Sequence, residues 1–269
     1  MAKKIGVDLG GTNMRVGIVE NDKVIKYLSK ETPKTKDELL EGLTNIISES
    51  LSEEISGIGI ACPGPLKDGA IKNTPNLPLK NFNLKKFLEK KFGKKIAIEN
   101  DAKCVALSEI KFGVKKKNFL VLTFGTGVGG GIIIDSKLYT GNGNAGEMGH
   151  IILSEGKDFE KHWQESKEKI KAITGGSPMI KDLMKSKEKE AEKILEGIYQ
   201  YCGQAIGSLI NIFNPEAIVL MGGAREAGKD FIRGIQKEAK KYVIVPDMPD
   251  ILWSKIEHPG ILGASLLVE

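Results

Sequence analysis

Two glycine-rich turns of one design, each set between apolar runs, constrain this chain more than any other feature. The first runs Ile5-Gly6-Val7-Asp8-Leu9-Gly10-Gly11-Thr12-Asn13-Met14-Arg15-Val16-Gly17-Ile18-Val19. The second runs Leu120-Val121-Leu122-Thr123-Phe124-Gly125-Thr126-Gly127-Val128-Gly129-Gly130-Gly131-Ile132-Ile133-Ile134. In each, an apolar run of strand length enters a tight polar turn and a second one leaves it, which is a strand-pair signature. A further strand-like stretch follows each, over 20–28 and 135–139. A motif repeated at this distance implies two similar domains facing one another. Two such turns facing across a cleft can grip a polyphosphate from both sides.

The glycines are placed rather than scattered: many of the 32 fall at these turns and near Gly222-Gly223. With 41% hydrophobic and 28% charged residues in 269, the chain is an ordinary globular sequence, long enough for one large core or two modest ones. The net charge of +5 is a small lysine excess. Runs such as Lys115-Lys116-Lys117 read as solvated surface, with a lesser part in steering an anionic substrate. Few arginines or aromatics interleave with them, so no nucleic-acid partner is expected. Cys62, Cys104 and Cys202 lie far apart with no CxxC pair, which argues against a disulfide framework or a zinc site and for buried thiols in a reducing cytosol. No signal-peptide core and no membrane-spanning run is visible, so a cytoplasmic protein without a membrane partner is expected.

Strands alternate with helices along both halves, the mark of α/β domains. Thr35 to Glu38 reads as a capping box ahead of Leu39, Leu40, Leu43, Ile46, Ile47 and Leu51 at helical spacing. Asn83 to Phe92 reads as a helix closed by Gly93, and 102–112 as one closed by Gly113. The stretch 158–193 is charged and helical in character without clear bounds. A long helix spans 191–213, and Pro215 ends it. The run 217–221 is a buried strand entering Gly222-Gly223, and the last helix, over 260–267, crosses back to the first domain.

Chemistry concentrates at a few points. Around Asp8-Leu9-Gly10-Gly11-Thr12, glycine amides can approach phosphate oxygens, Thr12 can donate a hydroxyl, and Asp8 can hold Mg²⁺ directly or through water. A plain hairpin turn is the alternative. No Gly-Lys-Ser/Thr follows, and the next segment is a strand, so this is neither a Walker loop nor a dinucleotide fingerprint. The second turn adds further amides and Thr126. Asn100-Asp101 lies between a strand and a helix, and serves either as an N-cap or as a general base. Glu147 and His150, in a glycine loop, make with Asn76 and Asn100 a set suited to a polyol, whose hydroxyls donate and accept.

Taken together these segments resemble the ROK family of sugar kinases, within the actin-like, hexokinase-like ATPase superfamily. The resemblance rests on Asp8 to Thr12, Pro63-Gly64-Pro65 with Pro75-Asn76-Leu77, Glu99-Asn100-Asp101-Ala102, Gly125 to Gly130, Gly146-Glu147-Met148-Gly149-His150 and Val219 to Gly223, in the family's order. It implies an α/β chain of two actin-like (ribonuclease H-like) domains with an interdomain cleft. The first would cover 1–114, with the C-terminal helix of about 258–269 packing back, and the second 115–257. It implies an ATP-dependent, Mg²⁺-assisted kinase acting on the 6-hydroxyl of a hexose, glucose by default, with Asp101 as catalytic base. Asn76, Asn100, Glu147 and His150 match sugar contacts. Asp8, Gly10, Gly11 and Thr12, with Thr126 and Gly127, match the phosphate and Mg²⁺ grip, and Gly222 and Gly223 the segment beside the adenosine. A homo-oligomer, dimer or tetramer, is implied as well.

The chain departs from the family pattern after the Gly-His pair. Many members carry a cysteine-rich zinc motif there. This chain has no cysteine over 151–165, so no zinc is expected. Gln164 falls where the family's second sugar-binding glutamate would stand, with Glu165 in its place if the register slips by one. Other hexoses, N-acetylated amino sugars, and ADP or polyphosphate as donor stay open. So does a sugar-sensing regulator, although the first strand begins near residue 4, leaving no DNA-reading element in view.

Overall fold

The computed structural model describes every residue except Met1, Ala2, Pro75 and Glu155, so the Pro75 of the Pro-Asn-Leu motif lies outside the described residues. The chain divides into two units. One comprises Met1–Val114, Leu138–Ala145 and Lys255–Glu269, the other Lys115–Lys137 and Gly146–Ser254. The segment Leu138–Ala145, read above as part of a continuous second domain, thus groups with the first unit.

In the first unit, β1 (Lys3–Leu9), β2 (Asn13–Glu20) and β3 (Lys23–Glu31) form an antiparallel meander. Helix α1 (Lys36–Ser48) leads to β4 (Ile55–Cys62), parallel to β1. A small sheet of β5 (Leu66–Lys67), β6 (Ala70–Ile71) and β7 (Phe82–Asn83) follows, then α2 (Leu84–Phe92), β8 (Lys95–Asn100) and α3 (Asp101–Phe112). The five-stranded sheet has the order β3-β2-β1-β4-β8. The second five-stranded sheet repeats this plan. Its strands are β9 (Phe119–Phe124), β10 (Val128–Ile134), β11 (Lys137–Tyr139), β14 (Ala217–Gly222) and β15 (Asp250–Trp253), in the order β11-β10-β9-β14-β15, with β9/β10 antiparallel and β9/β14/β15 parallel. A two-stranded sheet, β12 (Ile152–Ser154) with β13 (Lys157–Asp158), precedes helices α4 (Phe159–Thr174), α5 (Ile180–Leu183) and α6 (Lys189–Phe213); α7 (Gly228–Ala239) follows β14.

Local chemistry explains where the elements begin and end. The third strand of each meander starts later than its apolar content suggests. Asn21-Asp22 and Asp135-Ser136 both hold positive φ, the backbone of a two-residue hairpin turn. Asn83 caps α2 by accepting from the Lys86 amide, and Gly93 closes it in the left-handed region. At α1 the Thr35 hydroxyl donates to the Glu38 carboxylate at 2.6 Å and bonds no helix amide, so a side-chain pair stands in place of the expected capping box. The charged stretch 158–193 breaks at Gly175 and Gly176, both at positive φ, and Pro178 stops the helix from resuming.

The first sheet has two unlike faces. On one, Ile5, Val7, Leu9, Ile58 and Ile60 pack with Leu39, Leu43, Ile46 and Ile47 of α1 into a dry core. On the other, Gly6, Gly17, Gly57 and Gly59 leave the strands nearly bare. The last helix, α8 (Pro259–Leu266), lies directly there: a Cβ on Gly6 would collide with the Ile261 carbonyl, and one on Gly59 with that of Ala264. Gly263 of α8 meets the Cys104 carbonyl of α3 in the same way. Among the described residues no helix is long and apolar enough to cross a membrane.

Gly59→Ala forces backbone against backbone and is expected to lower stability by about 3 kcal/mol. Gly197→Ala, mid-helix in α6 with nothing near its Cβ position, is expected to raise it by about 0.5–1 kcal/mol. Denaturant unfolding of the two variants beside the wild type measures both.

Candidate functional site

In the first unit the predicted residues collect at the carboxyl ends of three parallel strands, where open α/β sheets present their ligands. Asp8 of β1 pairs in register with Ala61 of β4, which pairs with Glu99 of β8; Cys62 pairs with Asn100. Arg15, opposite Asp8 on β2, donates to its carboxylate at 3.0 Å. Burial raises the Asp8 pKa, and the Arg15 charge and hydrogen bond only partly offset the rise. The N-terminus of α8 adds to that burial, since a Cβ on Gly260 would stand 3.0 Å from the Asp8 carboxyl carbon.

The first turn is tied down through its carbonyls. Gly10 accepts from the Thr32 hydroxyl at 2.6 Å and Gly11 from the Lys34 ammonium at 3.0 Å, while Thr12 accepts from the Thr32 amide at 2.9 Å. Thr12 itself is exposed. Asn76 packs against this turn, 2.8 Å from where a Cβ on Gly11 would lie. Any larger residue at position 11 would displace it.

Asn100 and Asp101 stand where β8 becomes α3. Asn100 caps the helix by accepting from the Lys103 amide at 3.2 Å, and Asp101 Oδ1 accepts from the Ala102 amide at 2.8 Å. The capping reading is thus realised, and it holds the Asp101 side chain at the strand-end edge. Cys62 lies close enough that the Asp101 and Glu99 carboxylates add to the upward push of burial on its thiol. Cys104 and Cys202 are likewise buried free thiols pushed up by burial.

Lys103 is a residue sequence reasoning passed over. Only 2% exposed, it sends its ammonium to the Gly143 carbonyl at 2.6 Å and to Glu99 at 3.6 Å. It therefore straps the glycine loop 141–146 to the start of α3. A lysine inside an otherwise apolar helix face was the available signal.

The second unit gathers its own set. Gly222, at φ +112°, sits against the Phe124 carbonyl, so the ends of β9 and β14 meet beside the second turn. Gly223 follows, exposed, at the start of a short 3₁₀ turn. Helix α4, whose bounds the sequence hid, lays one face on the Gly125-Thr126-Gly127 turn. Trp163 Nε1 donates to the Gly125 carbonyl at 3.1 Å; the Lys167 ammonium donates to Gly125 at 3.1 Å and to Thr126 at 3.3 Å. Burial lowers the Lys167 pKa, and the neighbouring Lys171 lowers it further. Glu160 accepts the Val128 amide at 2.8 Å and crowds Gly127, so a carboxylate already occupies part of the cradle the sequence suggested there.

The loop carrying Glu147 and His150 packs on β10 through two glycines: Gly149 against the Val128 carbonyl and Gly146 against that of Gly130. Glu147 and His150 are both exposed. The Asp158 hydrogen bond raises the His150 pKa against burial, helped by the charges of Asp158, Glu160 and Glu147. Asp158 is the acid bonded to the ring, and Glu160 and Glu147 act on it through their charge. Gln164 is exposed, one turn beyond Glu160 on α4, and donates to Glu160 at 3.1 Å. Glu165 is half-buried and pairs with Lys157 at 3.0 Å. Sequence reasoning passed over Asp158 and Glu160; an Asp158 N-cap with Phe159 as the first core position was the available signal.

A model of the ROK family matches residues 4–162 and 152–269. The chain belongs to the ROK family. It is similar to a glucokinase of Thermotoga maritima, 28% identical over 99% of this chain and 97% of that protein. It is also similar to a xylose repressor of Caldicellulosiruptor bescii, 30% identical over 87% of this chain and 69% of the repressor. A ROK glucokinase from Streptomyces griseus, solved with glucose and AMPPNP, superposes with a TM-score of 0.83 over 98% of both chains at 24% identity, a likeness of fold. The family is one of actin-like ATPase folds, in keeping with the two meander-and-crossover sheets. Among the described residues no group of three or more His, Cys, Asp or Glu side chains is arranged to hold a metal.

Lys103→Met, which leaves Glu99 without its ammonium and Gly143 without its donor, is expected to cost about 2 kcal/mol. Adding Glu99→Gln should recover part of that loss. Denaturant midpoints of the single and double variants decide it.

Proposed function

We propose that the chain is an ATP-dependent kinase that phosphorylates the 6-hydroxyl of a hexose, with glucose as its substrate. The observation that carries this reading is Asp101. It is a carboxylate fixed by its helix cap at the same sheet edge as Asp8 and the first glycine turn, in a chain similar over nearly its whole length to a glucokinase.

Asp101 accepts the proton of the attacking hydroxyl as that oxygen bonds to the γ-phosphorus and the bond to the β-phosphate oxygen breaks, leaving ADP. Hydroxyls of the sugar are the proposed partners of Asn76 and Asn100 in the first unit, and of Glu147, His150 and Glu160 in the second. Gln164, which donates to Glu160, is a further proposed partner of the sugar. Amides of Gly10 and Gly11 and the Thr12 hydroxyl are the proposed phosphate donors of the first turn, and Thr126 and Gly127 those of the second. Gly222 and Gly223, at the end of β14, are the proposed neighbours of the nucleoside.

Asp8 suits a magnesium ion carried by the phosphates, because such an ion needs one or two protein carboxylates and keeps its waters. When bound, Mg²⁺ neutralises charge on the phosphates. Arg15 keeps the half-buried Asp8 carboxylate oriented meanwhile. The cysteine-free stretch 151–165 offers no thiolates for zinc.

A second reading, a sugar-responsive regulator, rests on the repressor similarity, in which this chain spans 69% of the longer protein. Phosphoryl transfer separates the two. A coupled assay across hexoses, amino sugars and donors should show ADP release with glucose. Asp101→Asn should keep the fold and ATP binding while lowering kcat at least ~10²-fold. Full turnover in that variant removes Asp101 from its role, and absence of transfer to any sugar removes the kinase reading.

A further inference from the structure

The geometry points to Asp158 as the positioning residue of the second unit's polar cluster: one carboxylate fixes the His150 imidazole and the start of α4 together. This deepens the proposed function, on which it rests for the identity of the group His150 meets.

Asp158 ends β13, opposite Ile152 of β12, and the Phe159 amide donates to the Ile151 carbonyl at 2.9 Å. That short hairpin folds the chain back so that Asp158 reaches His150, two residues before β12. Its two oxygens do different work. Oδ1 accepts the Lys161 amide at 2.7 Å and caps α4; Oδ2 meets His150 Nδ1 at 2.9 Å. Phe159, the next residue, is fully buried and packs edge-on against Phe124 of β9, so the cap is anchored in the core.

A neutral imidazole has one donor and one acceptor nitrogen, and the partner of one decides the role of the other. A carboxylate at Nδ1 makes that nitrogen the donor. Nε2 is then the acceptor, matched to a substrate hydroxyl. The same carboxylate sets the first turn of α4, where Glu160 stands two residues on. The ring and Glu160, two of the groups assigned to the sugar, therefore share one anchor. Other groups also act on the ring: Glu160 from α4 and Glu147 from the preceding loop favour its protonated form, while partial burial opposes it. Burial likewise opposes ionisation of Asp158, but the His150 bond, the Lys161 amide and the His150 and His162 charges together hold its pKa below the usual range.

The test uses the full chain with Asp158→Asn, chosen because asparagine still caps a helix, beside His150→Asn and the double variant. With three histidines in the sequence, the His150 signal is the one lost in His150→Asn. In imidazole nitrogen NMR the wild type should hold Nδ1–H as the neutral tautomer and titrate above the ordinary histidine range. Asp158→Asn should lower that midpoint and mix the tautomers. In steady-state kinetics Asp158→Asn should raise KM for glucose about tenfold, the size of one charge-assisted hydrogen bond, with KM for ATP little changed. In the His150→Asn background it should add nothing further.

An unchanged His150 midpoint and tautomer in Asp158→Asn overturns the proposal, as does a full loss of glucose affinity from Asp158→Asn without His150. A wild type that phosphorylates no sugar removes the kinase reading instead. The NMR titration still decides whether Asp158 holds the ring.

Discussion

Backbone-to-backbone contact between α8 and the glycine face of the first sheet underlies the rest of that unit. Gly6 and Gly59 bring strand backbone against the Ile261 and Ala264 carbonyls, and Gly263 brings the helix against α3. Side chains at those points would hold the layers apart. Because they do not, the last eleven residues of the chain close over the first strand, and Asp8 is half-buried beside Gly260. The carboxyl ends of β1, β4 and β8 then share one edge, with Asp8, the first turn and Asp101 along it. The opposite face of the same strands carries the large aliphatic side chains and supplies the hydrophobic driving force. One face thus stabilises the unit and the other shapes it.

In the second unit a helix does the corresponding work. Glu160, Trp163 and Lys167 lie three to four residues apart on α4, and all three bond the second glycine turn. The turn's carbonyls meet an indole and an ammonium, and an amide meets a carboxylate. A lysine kept less basic than usual by burial therefore stands on the carbonyls of this turn, next to the acid that holds the Val128 amide. Asp158 begins this helix and also holds His150, so the polar cluster and the turn are organised from one helix end.

Much of this was legible along the chain. The apolar runs on either side of each glycine turn announce strands, and the repeated turn announces two similar units. Asn83 with Gly93, and Asn100 with Gly113, mark helices correctly because caps are local chemistry. The start of β3 and the breaks within 158–193 were missed for local reasons too: positive φ at Asn21 and Asp22, and at Gly175 and Gly176, is set by short-range backbone preference that apolar periodicity does not report. Glu160 was missed for a different reason: its bond to the Val128 amide depends on the packing of Phe159 and Trp163 of α4 against Phe124 of β9, which periodicity does not report.

By itself the sequence determined the two-fold repeat of hairpin and crossover, the glycine turns and the position of Asp101 at a strand-to-helix junction. These follow from periodicity, caps and turn residues, all of which act within a few positions. Tertiary structure decided which glycines serve close packing rather than ligand approach. It also decided that Lys103 is a buried strap and that the acid bonded to His150 is Asp158, at the start of α4. Such choices depend on contacts between residues distant in the chain or on opposite faces of one helix, where identical side chains acquire different roles from what they are pressed against.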